Sequence, residues 1–287
     1  MLEKILYKIR YYYLNLLAKI EYKIDNFFLV DGINENKDIY NIIVSLTTIP
    51  SRYKDVQISI NTIMRQTLKP KKIILYIDKK NEHVALPNGL KKLVKRGLTI
   101  EYVNDEIKAH TKYYYALKKN TNSVVITVDD DIIYDKNLIK RLYDKHKKYP
   151  KSVICARAHK ITFLNNELAK YSNWEGECDK IRMPSNYLFA TGVGGVLYPT
   201  GIFKDTTFDL DLIKKLSLNN DDIWLKYMEI LSGVKVCLID GKIPRLVSVR
   251  GSQKVGLYKT NVGKNINDVI IKKLTEYFKI TREDFED

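Results

Sequence analysis

Asp129, Asp130 and Asp131 stand side by side directly after the apolar, β-branched run SVVITV at residues 123–128. On an extended chain successive side chains alternate faces, so Asp129 and Asp131 are expected to project together and Asp130 the other way. Three adjacent carboxylates at the end of a buried strand repel one another, and each favours protonation or neutralisation. A divalent cation relieves that repulsion. Hard oxygen ligands suit Mg2+ or Mn2+, which takes one or two carboxylates and fills its shell with water and phosphate oxygens. Capping of the next helix would need fewer acids, and Asp135 is placed to do it. The triplet therefore points to a metal and a phosphate ligand.

The elements that must position this cluster alternate regularly. Asn41–Leu46, Lys72–Ile77, Leu98–Val103 and Ser123–Val128 are short apolar runs with strand character. Between and after them, Tyr53–Arg65, Leu86–Arg96, Thr111–Lys119 and Asn137–Lys147 carry helical spacing. Four strand–helix alternations predict an α/β fold with a mostly parallel sheet flanked by helices. Ligands of such sheets bind beyond the carboxyl ends of the strands, where the aspartates fall. Past residue 150 the pattern loosens. Ser152–Ala156 and Lys235–Ile239 are expected strands, Asp221–Leu231 and Ile266–Tyr277 expected helices, and Glu167–Pro184 a loop. The chain thus divides into an N-terminal helix (1–30), a polar linker (31–40) and one domain (41–287). Within that domain, residues 41–150 form the half carrying the triplet and 151–287 complete a pocket over it.

Composition excludes several classes. The three cysteines, Cys155, Cys178 and Cys237, are far apart, which argues against a disulfide framework or a cysteine zinc site. No P-loop, no G-x-G-x-x-G after the first strand, no G-x-S-x-G and no H-E-x-x-H occurs. The 49 Lys+Arg against 34 Asp+Glu give a formal +15, which attracts anionic partners. The basic residues are dispersed rather than gathered in one arm, so nucleic acid is not the expected partner.

Residues 1–28 show no run of the ~18 apolar residues that a spanning helix needs. Leu2, Ile5, Leu6, Ile9, Tyr13, Leu16, Leu17, Ile20, Ile24 and Phe27 recur at three- and four-residue steps, with lysines and tyrosines around them. Such a helix can lie on an anionic membrane, pair with a second copy, or pack on its own domain. The expected location is cytoplasmic, peripheral to the inner face of the membrane.

The order of SLTTIPSR, MRQTLKPKKIILYID, TVDDDIIY, TGVGGVLYP and NNDDIWLKYM resembles bacterial glycosyltransferases of the GT-A type. The nearest likeness is to family-2-like enzymes of surface polysaccharide synthesis, over residues 41 to about 270. The resemblance implies a Rossmann-like GT-A domain and a metal-dependent transfer of sugar from a nucleotide-diphospho-sugar. The donor would be UDP- or GDP-linked, and the acceptor a hydroxyl of a glycan or lipid-linked glycan. It implies donor contacts at Thr47, Thr48, Pro50 and Arg52 after the first strand, at Asp78 after the second, and at Asp105 and Lys112. Asp129 and Asp131 match the family's D-x-D motif. Asp131 would be the main ligand of Mn2+ or Mg2+, Asp129 a ribose or second metal contact, and Asp130 part of the donor site.

Asp221-Asp222 matches the acidic pair of inverting members, although its first residue is usually glutamate. Asp222 would be the base that deprotonates the acceptor. Asn219, Asn220 and the two aspartates could also cap the helix of IWLKYM, and both uses can hold together. Gly192, Gly194 and Gly195 would admit sugar or acceptor close to the backbone, or line a glycine-rich core strand. Trp174 and Trp224 are candidates for stacking on sugars or for the core. Arg250 and Lys254 would approach the diphosphate from a closing segment. Two readings compete. A nucleotidyltransferase would use the same sheet and metal, but TTIPSRYK lacks the glycine-rich loop expected of it. A non-catalytic basic protein binding nucleic acid or acidic glycan leaves the aspartates unexplained.

Overall fold

The computed structural model describes residues 2–34, 41–252 and 265–287. A long helix, α1 (Leu2–Phe28), comes first. Then follow β1 (Ile42–Thr47), α2 (Tyr53–Met64), β2 (Lys72–Asp78), α3 (Asn88–Lys95), β3 (Leu98–Val103), α4 (Thr111–Lys119) and β4 (Val124–Thr127). After the acidic triplet come β5 (Ile132–Ile133), α5 (Leu138–Lys148), β6 (Val153–Cys155), β7 (Ala158–Lys160) and the hairpin β8 (Phe163–Leu164) and β9 (Glu167–Leu168). The remainder is β10 (Leu188–Ala190), β11 (Val196–Tyr198), the helical turn α6 (Leu210–Leu212), α7 (Asp221–Leu231), β12 (Val236–Leu238), β13 (Val247–Ser248) and α8 (Ile266–Phe278).

Seven strands form the central sheet in the order β12-β6-β11-β4-β1-β2-β3. It is parallel except for β11, which runs antiparallel to both β4 and β6. Both faces are covered, so alternate residues of one strand enter different cores. Ile42, Val44 and Leu46 pack with α2, α3 and α5 residues, whereas Ile43 packs with α4 and α7 residues. That burial on both sides is why β1 and β2 are almost continuously apolar. Register places Thr47 opposite Tyr76, Asp78 opposite Val103 and Ser45 opposite Thr127. The carboxyl ends of β1 to β4 therefore share one rim. The three cysteines are buried and free. Among the described residues, no helix is long and apolar enough to cross a membrane.

α1 lies outside α2, and apart from Ala18 against Ile58 the interface between them is largely polar. Tyr22 donates to Gln57 Oε1 at 2.5 Å and Asn61 to Asp25 at 3.1 Å. Arg65 donates to Asp25 at 2.8 Å. Arg96, 1% exposed, donates to Val30 O, Asn26 and Asn61. The apolar stripe of α1 consequently faces outward. The first residues of the expected linker are docked rather than free. Gly32 N–H donates to Arg96 O and Asn34 N–H to Pro70 O, each at 2.9 Å. Residues 35–40 lie outside the described residues.

Candidate active site

β4 ends at Thr127, and the chain turns through Asp130 and Asp131. The strict alternation expected of an extended triplet therefore fails. Asp130 and Asp131 both lie within ion-pair distance of Arg52, and Asp129 pairs with Lys112. Asp130 accepts from Thr48 Oγ1 at 2.6 Å and from Arg52 Nη1 at 2.5 Å. Arg52 also lies 3.6 Å from Asp131. Burial raises the Asp130 pKa, with Arg52 and Thr48 opposing. Burial, then the charges of Asp129 and Asp130, push Asp131 up to about 6. The Asp131 carbonyl accepts from Val249 N–H at 2.7 Å, which ties the triplet to the end of β13.

Asp129 points toward α4, where Lys112 Nζ donates to its Oδ1 at 2.8 Å. The same ammonium sits 3.0 Å from Asp221 at the start of α7. One buried lysine thus joins the acids that follow β4 to those that open α7. Burial disfavours its charge, but Asp129, Asp221 and Asp222 outweigh burial and hold the ammonium well above its ordinary pKa. Asp222 accepts the Gly192 N–H at 3.1 Å on each oxygen. Burial and the charge of Asp221 push Asp222 up to about 7. Asp221 is buried too, yet Lys112 and His110 bring its pKa below the ordinary value. The two acids titrate as a pair, and Asp222 is the member whose pKa is raised.

α7 is not capped by this pair. Asn220 Oδ1 accepts the Ile223 N–H at 2.9 Å, so both aspartates are left for other work. Of the capping residues that the sequence offered, Asn220 is the one that caps the helix. Tyr134 was missed. Its hydroxyl accepts the Asp129 N–H at 2.7 Å and fixes the turn. Tyr134 lies only five residues beyond its partner, but no periodicity marks that contact, and the bridging place of Lys112 depends on partners from distant segments.

Several expected contacts are corrected. Lys112 is not presented to a diphosphate, because protein carboxylates on two sides enclose it. Trp224 is 0% exposed and donates to Thr207 O, so it cannot stack on a sugar. Trp174 is likewise buried, donating to Ala169 O and packed against Phe189 and Tyr171. The glycines approach protein atoms rather than a ligand. A Cβ on Gly192 would lie 2.8 Å from Asp222 Oδ1 and 3.0 Å from Lys112 Nζ. One on Gly194 would meet Arg157, and Gly195 (φ +91°) abuts Leu138. Arg250 lies over the Tyr12 ring of α1, 5.3 Å from its centroid, rather than at the carboxylates. Lys254 lies outside the described residues.

The other expected residues stay on the rim. Thr47 donates to Tyr76 O, and Pro50 opens the short helical turn that carries Arg52. Asp78 accepts Lys80 N–H at 3.2 Å, and Asp105 accepts the Tyr115 hydroxyl.

The model of the family described as "Glycosyl transferase family 2" matches residues 47–203, more than half of the chain. The chain belongs to this family. The glycosyltransferase shares its fold with a mannosyltransferase, PcManGT from Pyrobaculum calidifontis, solved in complex with GDP-Man and Mn2+. The two are 9% identical over 96% of this chain and 77% of that one, with a TM-score of 0.52. S. aureus TarS (residues 1–349, in complex with UDP) is 14% identical over 85% and 73% of the two chains, at a TM-score of 0.49. A 4-diphosphocytidyl-2C-methyl-D-erythritol synthase from Anaerococcus prevotii is 15% identical over 78% and 98%, at 0.44. A search of curated proteins found no match. The sheet, the flanking helices and the family match together make this a GT-A glycosyltransferase.

The residues present fit a divalent cation. Asp129 and Asp131 offer two hard carboxylates, and Asp131 carries the raised pKa of a crowded acid. Among the described residues, no three potential ligands converge on one point. A cation there would complete its shell from water and phosphate.

Proposed function

We propose that this glycosyltransferase moves a sugar from a UDP- or GDP-linked donor to a hydroxyl of a glycan or lipid-linked acceptor, with inversion, in surface polysaccharide synthesis. The observation that carries the reading is the Lys112 bridge. It holds the acids after β4 and the acids of α7 in one buried cluster, so a donor and an acceptor can meet there. The GDP-Man and Mn2+ bound by the mannosyltransferase of similar fold agree with such a donor.

Asp131 and Asp129 would hold Mn2+ or Mg2+, which when bound neutralises charge on the departing diphosphate. Thr47, Thr48, Pro50, Asp78 and Asp105 line the rim on the base and ribose side. Arg52 fixes the triplet through Asp130. The acceptor oxygen attacks the anomeric carbon while the bond to the diphosphate oxygen breaks, its electron pair leaving with the nucleoside diphosphate. Asp222 takes the hydroxyl proton. Its raised pKa suits a base acting near neutral pH. Gly192 N–H orients that carboxylate, and burial with the charge of Asp221 keeps it basic.

Calorimetric titration with UDP- and GDP-sugars, with and without Mn2+, tests the donor and metal assignments. Asp131→Ala is expected to abolish metal-dependent binding. Asp222→Asn is expected to retain donor binding and lower turnover by about 10²–10⁴-fold. Loss of binding in Asp222→Asn would reject the base assignment. Absence of binding to every UDP-, GDP- and CDP-sugar would reject the donor assignment.

A further inference from the structure

The outer face of α1 is apolar over its whole length. Ile9, Tyr13, Leu16, Ile20, Ile24 and Phe27 follow one another at three- and four-residue steps and are between 45% and 77% exposed. The inner face is mostly polar, with Asn15, Asp25 and Asn26 buried beside Ala18, which packs on Ile58 and Val249. This inverts the usual pattern of a surface helix, which turns its apolar stripe to the core. The helix is held by its polar side, so the stripe cannot roll inward without breaking the Asp25–Arg65–Arg96 cluster.

Charge identifies the occupant. Glu21 and Asp25, the acids of α1 whose side chains are described, are turned inward against Arg65, at 3.1 and 2.8 Å. Lys4, Lys8, Arg10, Lys19 and Lys23 are exposed. Two grooves of about 430 Å³ run beside the helix, and both are basic. One is lined by Lys4, Tyr7, Lys8 and Arg245. The other has Lys19, Lys23, Lys54 and Arg250 around an apolar floor that includes Leu16 and Ile20. Among its described residues Asp55 alone is acidic. A second copy laid on this stripe between residues 8 and 27 would bring cation against cation, because Glu21 and Asp25 face inward. Phosphate headgroups above an acyl layer match both the cations and the stripe.

We propose that the outer face of α1 is a docking surface for an anionic phospholipid bilayer, with the helix lying flat, its stripe at the acyl boundary and its lysines on lipid phosphates. Docking by this face also orients the enzyme. Asn15 donates to Ser248 O at 3.1 Å and accepts Arg250 N–H at 2.7 Å, and the intervening Val249 holds Asp131. The bilayer surface and the carboxylate cluster are thereby joined through β13. This suits a lipid-borne acceptor, but the docking itself does not depend on the reaction catalysed.

The test is co-sedimentation of the full chain with vesicles of phosphatidylcholine alone or mixed with phosphatidylglycerol. Wild-type protein is expected to bind the mixed vesicles, less so as salt rises, and to stay in solution with phosphatidylcholine alone. Leu16→Glu with Ile20→Glu is expected to lower partitioning by more than about tenfold. Lys19→Glu with Lys23→Glu is expected to do the same and to remove the salt dependence. These side chains face outward, so both variants should keep the wild-type melting temperature. Should the first lose its transition, the lysine variant decides. Wild-type protein that ignores mixed vesicles, or binds both kinds equally, overturns the proposal. So does a dimer in sedimentation analysis that Leu16→Glu splits while vesicle binding is absent.

Discussion

Two buried charge clusters of this protein are built on opposite principles. At the α1–α2 interface, Glu21 and Asp25 face Arg65 and Arg96, two acids against two cations, with Asn26 and Asn61 completing the hydrogen bonds. At the rim of the sheet, Asp129, Asp130, Asp131, Asp221 and Asp222 face Arg52 and Lys112 among the described residues. The first cluster is balanced and fastens a helix. The second carries excess negative charge, which adds to burial in raising the pKa values of Asp131 and Asp222. A balanced cluster is what stability alone would favour. An unbalanced one is maintained at a cost, which a bound cation would offset.

Opposite signs of stability change would sharpen that contrast most. Asp25→Ala leaves the fully buried Arg96 without its carboxylate and is expected to cost about 3–5 kcal/mol in denaturant unfolding. Donor affinity of the folded protein should be unchanged. Asp131→Asn removes a crowded acid and is expected to stabilise the metal-free protein by about 1–3 kcal/mol near pH 8. Its pKa is raised on folding, so the acid favours the native state only while protonated. That contribution is complete below the ordinary value of 3.8 and lost as pH rises through about 6. The gain in the variant should therefore shrink toward zero near pH 4, as melting curves across pH would record. A loss of stability in Asp131→Asn at pH 8 would break the comparison.

Smaller effects follow at Asp222 and Gly192. If Asp222 must be ionised to act, kcat/KM should fall about tenfold for each pH unit below about 7. A rate without an acid limb there would remove its role as base. Gly192→Ala places a methyl group 2.8 Å from Asp222 Oδ1 and is expected to reduce kcat severalfold, to about a tenth at most, with donor affinity retained. An unchanged kcat would mean that the contact with Gly192 does not set the position of the carboxylate.

Legibility in the sequence differed by kind of feature. Leu98–Val103, Thr111–Lys119 and Asp221–Leu231 have the bounds that their spacing predicts, because each is a run with one strong period. The triplet at the end of β4 was legible by composition and position, but its side-chain directions were not. A turn at Asp130 replaces the extended backbone that alternation assumes. Trp224 and Trp174 were ambiguous because a tryptophan has the same letter in a core and in a sugar site. The glycines of TGVGGVLYP signalled close approach, yet only packing reveals that Asp222, Arg157 and Leu138 are what approaches.

By itself the sequence determined the alternation of strand and helix, the acids at the strand ends and an amphipathic first helix. These follow from periodicity and local chemistry, which neighbouring residues carry. Only the tertiary structure decided that Lys112 joins Asp129 to Asp221, that Asn220 relieves the α7 acids of capping, and that α1 turns its polar face inward. Each of these depends on groups far apart along the chain, and a buried charge finds its partner by distance in space, not by spacing in sequence.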